Sequence, residues 1–233
     1  MKETVEKALQ SLKKGWFAMV YDADKRENET DLVTPSIWIT QDKVRRLRRD
    51  AGGLICVTVP PDVWKKLDIP YLHDLIRDNA DEHPLLYRMK ADDIPYDEKS
   101  TFSLTINHRE TFTGITDNDR AKTITRFAKL AHEVEHLNRD RARDMFGREF
   151  RTPGHVFLLN ATEGLLDKRA GHTELTTALL EMGGYFPSMT ICEMLGDDGN
   201  SLSEKEAVRY GKKHSIPMVE GKDIIKEWET QNG

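Results

Sequence analysis

Short apolar runs rich in β-branched residues alternate with stretches of helical periodicity along the whole chain. Such strands bury their faces only against neighbouring strands and covering helices, so the alternation restricts the chain to one sheet with helices packed on it. Val5, Ala8, Leu9 and Leu12 recur at helical spacing and predict a helix over 4–14, stopped at Gly15. A buried strand over 16–21 follows, then a polar loop over 22–31 and a second extended stretch over about 32–39. Passages of strand, loop and strand favour antiparallel neighbours, so the sheet should be mixed.

Thr40 is placed to cap a helix running to Asp50, which Gly52 and Gly53 end. Residues 54–59 read as a strand closed by Pro60 and Pro61, and 101–107 as another. Residues 62–99 carry no sustained period and are expected to hold short helices and loop. A Thr-rich loop over 111–119 leads into a helix over about 120–137, and the strongly charged stretch 138–152 is expected to be an exposed excursion. A strand over 156–160 precedes a helix from Thr173, marked by Leu175, Ala178, Leu179 and Met182 and stopped by Gly183 and Gly184. A strand over 189–195, a turn over 196–200, a helix from about Ser203, a short strand over 216–219 and a last helix complete the chain. The predicted fold is α+β, one domain over 1–233, with a mixed β-sheet sandwiched between helical layers.

Composition narrows the function classes. At 233 residues one core can bury enough surface to fold without disulfides. The net charge of -5 gives no general attraction to nucleic acid or anionic membrane, so neither is an expected partner. Cys56 and Cys192 stand far apart in apolar strands and read as buried, inert thiols of a reducing compartment. The first residues lack the apolar core of a signal peptide, so a cytoplasmic protein is expected. The basic run Arg45, Arg46, Arg48 and Arg49 reads as one solvated helix face on an acidic protein.

Four places could carry chemistry. Asp22, Asp24, Glu27, Glu29 and Asp31 crowd one loop, and carboxylate oxygens are hard ligands suited to Mg2+ or Mn2+. An EF-hand is excluded, because counting from Asp22 the sixth position is Glu27 and the twelfth is Val33. Composition alone favours a solvated turn, whereas the position at the exit of a buried strand favours function. Arg169, Ala170, Gly171, His172, Thr173 and Glu174 lie at the mouth of a helix, where unpaired N–H groups attract phosphate. Arg169 can grip phosphate bidentately and Thr173 can add a donor; the same residues also suit a surface charge and an ordinary N-cap. His155 follows Pro153 and Gly154 at a strand entrance, a setting common for structural turn residues. Glu193 interrupts the otherwise apolar strand around Ile191 and Cys192, and a carboxylate there must be paired, at an edge, or used in chemistry.

These segments, in this order, resemble a known family. The loop over 24–31 resembles its acidic signature, 113–120 its active-site segment, 153–157 its central motif, and 169–174 and 192–199 two further motifs. The family is that of 3,4-dihydroxy-2-butanone-4-phosphate synthase, and the resemblance runs from about residue 4 to 226, closest to archaeal-like, stand-alone members. It implies a single α+β domain, a homodimer with sites near the interface, and conversion of ribulose 5-phosphate to the butanone phosphate and formate in riboflavin biosynthesis. It further implies that Glu27 and His172 hold a divalent metal, usually Mg2+. Arg26, Asp31, Arg169, Thr173 and Glu193 would contact the sugar phosphate, together with the backbone around Ala170 and Gly171. Asp31, Glu193 and His155 become the candidates for proton transfer. Thr30 departs from the pattern, standing where many bacterial members have glycine. A metal-dependent pentose-phosphate isomerase or epimerase would use the same groups without releasing formate. A non-catalytic sugar-phosphate or nucleotide binding module would bind its ligand even under chelation.

Overall fold

In the computed structural model, which describes residues 1–23, 26–89, 91 and 93–232, helix α1 (Glu3–Lys13) buries Val5, Ala8, Leu9 and Leu12, the stripe its sequence predicts. Seven strands, β1 (Ala18–Tyr21), β2 (Thr30–Pro35), β3 (Cys56–Val59), β4 (Phe102–His108), β5 (Phe150–Asn160), β6 (Met189–Glu193) and β7 (Met218–Glu220), form one sheet in the order β4-β5-β3-β6-β2-β1-β7. The sheet is mixed: β1 with β7 and β3 with β5 run parallel, and the other pairs run antiparallel.

Alternation along the strands builds two cores. Met19, Leu32, Val57, Leu158 and Cys192 face one layer. That layer contains α2 (Gln41–Asp50), α3 (Pro61–Leu67), α6 (Asp117–Glu133) and α7 (Arg139–Glu149). Their neighbours Ala18, Val20, Val33, Cys56, Leu159 and Ile191 face the opposite layer of α1, α8 (His172–Met182) and α10 (Gly221–Asn232). A helix α9 (Glu204–His214) packs beside β1, with Gly211 so close to Met19 that a Cβ would stand 2.5 Å from its methyl. Between β3 and β4 run α3 and two further short helices, α4 (Leu72–Asp78) and α5 (Pro84–Arg88). Among the described residues no helix is long and apolar enough to cross a membrane.

Three local expectations change. The charged stretch 138–152 is no excursion: Asn138 caps α7 by accepting from the Arg141 N–H at 3.0 Å, and Ala142 is wholly buried. Ala142, Met145 and Phe146 form a thin apolar stripe beneath the charges, and Phe146 stacks on Phe150 at 5.2 Å. Strand β2 begins at Thr30, so Asp31 belongs to the sheet rather than to the loop. Strand β5 begins at Phe150; Ile106 faces Val156 while Asn107 faces Arg151, so residues 152–155 bulge from the ladder.

Candidate active site

The loop that joins β1 to β2 is built around Asp22. Its buried carboxylate accepts the Glu27 N–H at 3.0 Å and the Glu29 N–H at 3.1 Å, and Asn28 sits at φ 57 with its side chain accepting from the Tyr21 hydroxyl at 2.6 Å. These bonds aim Glu27 at the start of α8. Of the five loop carboxylates, Asp24 lies outside the described residues.

His172, the first residue of α8, is 5 % exposed, and its Nδ1 lies 3.0 Å from Glu27 Oε2. Its Nε2 lies 3.2 Å from the Val20 carbonyl and 3.7 Å from Asp31 Oδ1. Burial alone would push the imidazole pKa down, but the charges of Asp31 and Glu27 and the bond to Glu27 hold it up at about 10. Burial likewise opposes ionisation of Glu27, yet His172, Arg169 and Arg26 bring its carboxyl below the usual range. Asp31 is 1 % exposed, and neither of its oxygens has a hydrogen-bond partner among the described residues. Asp31 faces Glu193 across the β2–β6 ladder. Burial holds both carboxyls above their ordinary values; Glu193 and Glu27 add to the rise at Asp31, and Glu29 and Glu27 at Glu193.

Could these groups hold a cation? Ligand atoms of Asp22, Glu27 and His172 lie within 4.8 Å of one another. Neighbouring ligands of an octahedral ion at about 2.1 Å stand roughly 3 Å apart, which is the spacing of Glu27 Oε2 and His172 Nδ1. A proton on Nε2, donated to Val20, leaves Nδ1 of a neutral imidazole free as a ligand. The unpartnered oxygens of Asp31 sit beside this pair. The donor set fits a hard divalent cation.

Arg169 lies beyond His172 and is clamped on two sides. Its Nε donates to Asp97 Oδ2 at 2.6 Å and its Nη1 to the fully buried Glu174. Gly171 is the N-cap of α8, so Thr173 is not, and a Cβ on Gly171 would run into the Arg169 guanidinium. A side chain at this position would make the Arg169 guanidinium shift from where it folds over the helix mouth. Thr173 is buried, its hydroxyl 3.0 Å from that of Thr101. Glu27, Asp31, Arg169, His172, Thr173 and Glu193 line one cleft of about 230 Å³, with Cys56 in its wall. Both cysteines are buried as predicted, and burial raises the Cys56 thiol well above its ordinary value. Arg26 and Ala170 line an adjoining groove of about 600 Å³. A larger hollow of about 810 Å³ between α1, α9 and β7 has neither carboxylate nor imidazole in its lining.

His155 is not brought to this cleft. It is exposed on the β5 bulge, with Nδ1 3.2 Å from Asn107, whose amide also donates to the Thr113 carbonyl at 3.2 Å. The motifs around 113–120 and His155 therefore form a second cluster. Sequence reasoning missed Asp97 and the anchoring role of Glu174. Glu174 could have been found as the second acid of the helix mouth; Asp97 lies where no periodicity marks any element.

The family sequence model described as 3,4-dihydroxy-2-butanone 4-phosphate synthase matches residues 6–227. The chain belongs to that family. A 3,4-dihydroxy-2-butanone 4-phosphate synthase of Methanothermobacter thermautotrophicus is 44% identical over 225 residues, spanning 96% of this chain and 95% of that one. The crystal structure of the Candida albicans synthase superposes with a TM-score of 0.72 at 30% identity over 96% of each chain. A further synthase structure, solved in complex with two magnesium ions, superposes at 0.75 over 100% of this chain and 99% of that one; at 23% identity it speaks for the shared synthase fold.

Proposed function

We propose that the chain converts D-ribulose 5-phosphate to L-3,4-dihydroxy-2-butanone 4-phosphate and formate, as a divalent-metal-dependent carbon–carbon lyase of riboflavin biosynthesis. The observation that carries this reading is the meeting of Glu27 and His172 at 3.0 Å beside Asp31 and Arg169, at the mouth of a buried helix. Glu27 and His172 would hold the cation, Mg2+ or Mn2+. When bound, that ion supplies positive charge for the oxyanion that forms as C3 of the sugar loses its proton. Arg169, with the N–H groups at the start of α8, anchors the phosphate, and Arg26 reaches the same place from the loop. Asp31 and Glu193, both inclined to keep a proton at a pH where free carboxyls have lost theirs, suit the acid and base steps.

The separation of His155 from the cleft supports a homodimer. Phe112, on a loop held by Arg151 through the Thr111 and Phe112 carbonyls at 2.8 and 3.1 Å, is 95% exposed, and Ile115 is 50% exposed. Apolar side chains on a fixed loop fit a protein partner, and a second copy would bring its His155 to complete the site.

The test is formate release from ribulose 5-phosphate with Mg2+. Formate should appear in step with substrate loss and stop on chelation; an isomerase or epimerase would consume substrate without it. Glu27→Ala and His172→Ala should each lower kcat at least a hundredfold, roughly the loss seen when a group acting in the transition state is removed, while circular dichroism stays that of wild type. Near-normal turnover in either variant would refute the metal site.

A further inference from the structure

The segment 94–101 stands between the cleft at His172 and the groove at Arg26, and Ile94, Tyr96, Asp97 and Lys99 line both hollows. Lys99 of this strap pairs with Asp74 at 3.6 Å, and Asp97 ties the strap to the two arginines. Asp97 Oδ2 accepts from Arg169 Nε at 2.6 Å and from Arg26 Nη2 at 3.1 Å, so one carboxylate oxygen bridges two guanidinium groups. Its other oxygen accepts from the Glu98 N–H at 2.9 Å, which fixes the carboxylate within its own turn. This is the contact pattern of an anionic ligand, supplied by the chain itself.

The arginines are set for more than Asp97 gives them. Arg169 is held along its Nη1 edge by Glu174, leaving the Nε edge as the face turned to Asp97. Arg26 Nε is buried without a hydrogen-bond partner among the described residues; Asp22 Oδ2 stands 4.0 Å from it. A phosphate, with three acceptor oxygens, could satisfy both arginines at once, which one oxygen of Asp97 does not. The cleft already holds Glu27, Glu29, Asp31 and Glu193. A phosphate dianion added beside Asp97 would meet a further negative charge against the same two cations.

We propose that Asp97 is an internal stand-in for the substrate's phosphate: in the empty enzyme its carboxylate occupies the anion site of Arg26 and Arg169, and the incoming phosphate displaces it and frees the strap. The proposal rests on the phosphate-binding role given above to Arg169. Asp97 keeps both guanidinium groups ordered and aimed while the site is empty, and it sets a threshold that weakly bound anions do not pass. Neutral sugars, which cannot compete for the arginines, leave the strap in place.

The experiment uses the full chain with Mg2+ and inorganic phosphate as the probe, its dissociation constant read by calorimetry. Removing the competing carboxylate in Asp97→Asn or Asp97→Ala should tighten phosphate binding by roughly tenfold, the equivalent of one charge-assisted hydrogen-bond contact relieved. Unchanged or weaker binding in both variants overturns the proposal and makes Asp97 a positioning residue for the arginines. Wild-type protein gives a readout free of any folding defect: saturating phosphate should raise amide hydrogen exchange across 94–99, and unaltered or lowered exchange there would equally overturn it. Arg169→Ala separates the two levels of the argument. If that variant binds phosphate as wild type does, the phosphate site itself is misassigned. If it loses binding while the Asp97 variants gain none, only the displacement is wrong.

Discussion

Asp31 is a buried acid whose two oxygens both lack a hydrogen-bond partner among the described residues. A carboxylate with no hydrogen-bond partner at 1 % exposure is tolerated only if the fold gains something else by it. Burial raises its pKa in the folded protein well above 3.8, so the native state resists losing that proton and its stability falls as pH rises past the ordinary carboxylate range. Asp31→Asn removes this burial penalty together with a charge that supports the His172 imidazolium, so it should lower the His172 pKa and abolish turnover. An unchanged His172 titration followed by NMR, or retained turnover, would contradict this account. His172 yields a second prediction at the same scale. With a folded pKa of about 10 it is protonated at neutral pH, and a cation must expel that proton to bind Nδ1. Between about pH 7 and about pH 9 the apparent Mg2+ affinity should rise by roughly tenfold per pH unit. Calorimetry in buffers of different ionisation heat should count about one proton released per ion.

Among the elements, α8 does most to assemble the site, and its first turn has no slack. Gly171→Ala leaves an accessible backbone conformation, at φ -84, but drives a methyl into the Arg169 guanidinium. The guanidinium must shift from its seat between Glu174 and Asp97, so KM for ribulose 5-phosphate should rise by about tenfold, with kcat changed less and the helix retained, as expected when uniform binding is lost. A KM within error of wild type would mean that Arg169 does not grip substrate. What the sequence made legible follows burial. Helices α1 and α8 and the strands β1, β3 and β6 bury long stripes or whole runs, so their periods stand out. Helix α7 buries only Ala142 completely, and its stripe is hidden by flanking charges. Helices α4 and α5 bury no residue fully, so nothing periodic marks residues 72–88. Asp97 follows in that unmarked stretch, and it stayed invisible because its meaning lies in two arginines distant in sequence. Glu27 and His172 were singled out by position, at the exit of a buried strand and at a helix mouth, while their pairing on a metal came from the family resemblance alone. Their meeting is a property of the β1–β2–α8 arrangement.

On the scale of the whole molecule, one chain divides the residues proposed for catalysis into two groups. Glu27, Asp31, His172 and Glu193 gather in the cleft. His155, with Asn107 and the loop that presents Phe112, stands on the bulge at the β4–β5 side of the sheet. Strands β6 and β3 lie between β5 and β2 in the sheet, and the sheet is a rigid element that does not fold to close such a gap. A two-fold partner would close it without any change in the protomer if the isologous contact set each chain's bulge against the other's cleft. This arrangement makes a prediction that a self-sufficient monomer cannot meet. Glu27→Ala and His155→Ala should each be inactive alone. Mixed in equal amounts under conditions that let subunits exchange, they should form hybrids that hold one site with both defects and one with neither. Half the dimers are hybrids, so activity should return to about a quarter of the wild-type value. Replacing Phe112 with Asp should yield a monomer by light scattering and prevent the recovery. If the mixture stays inactive while subunit exchange is demonstrated, His155 does not serve a neighbour's cleft.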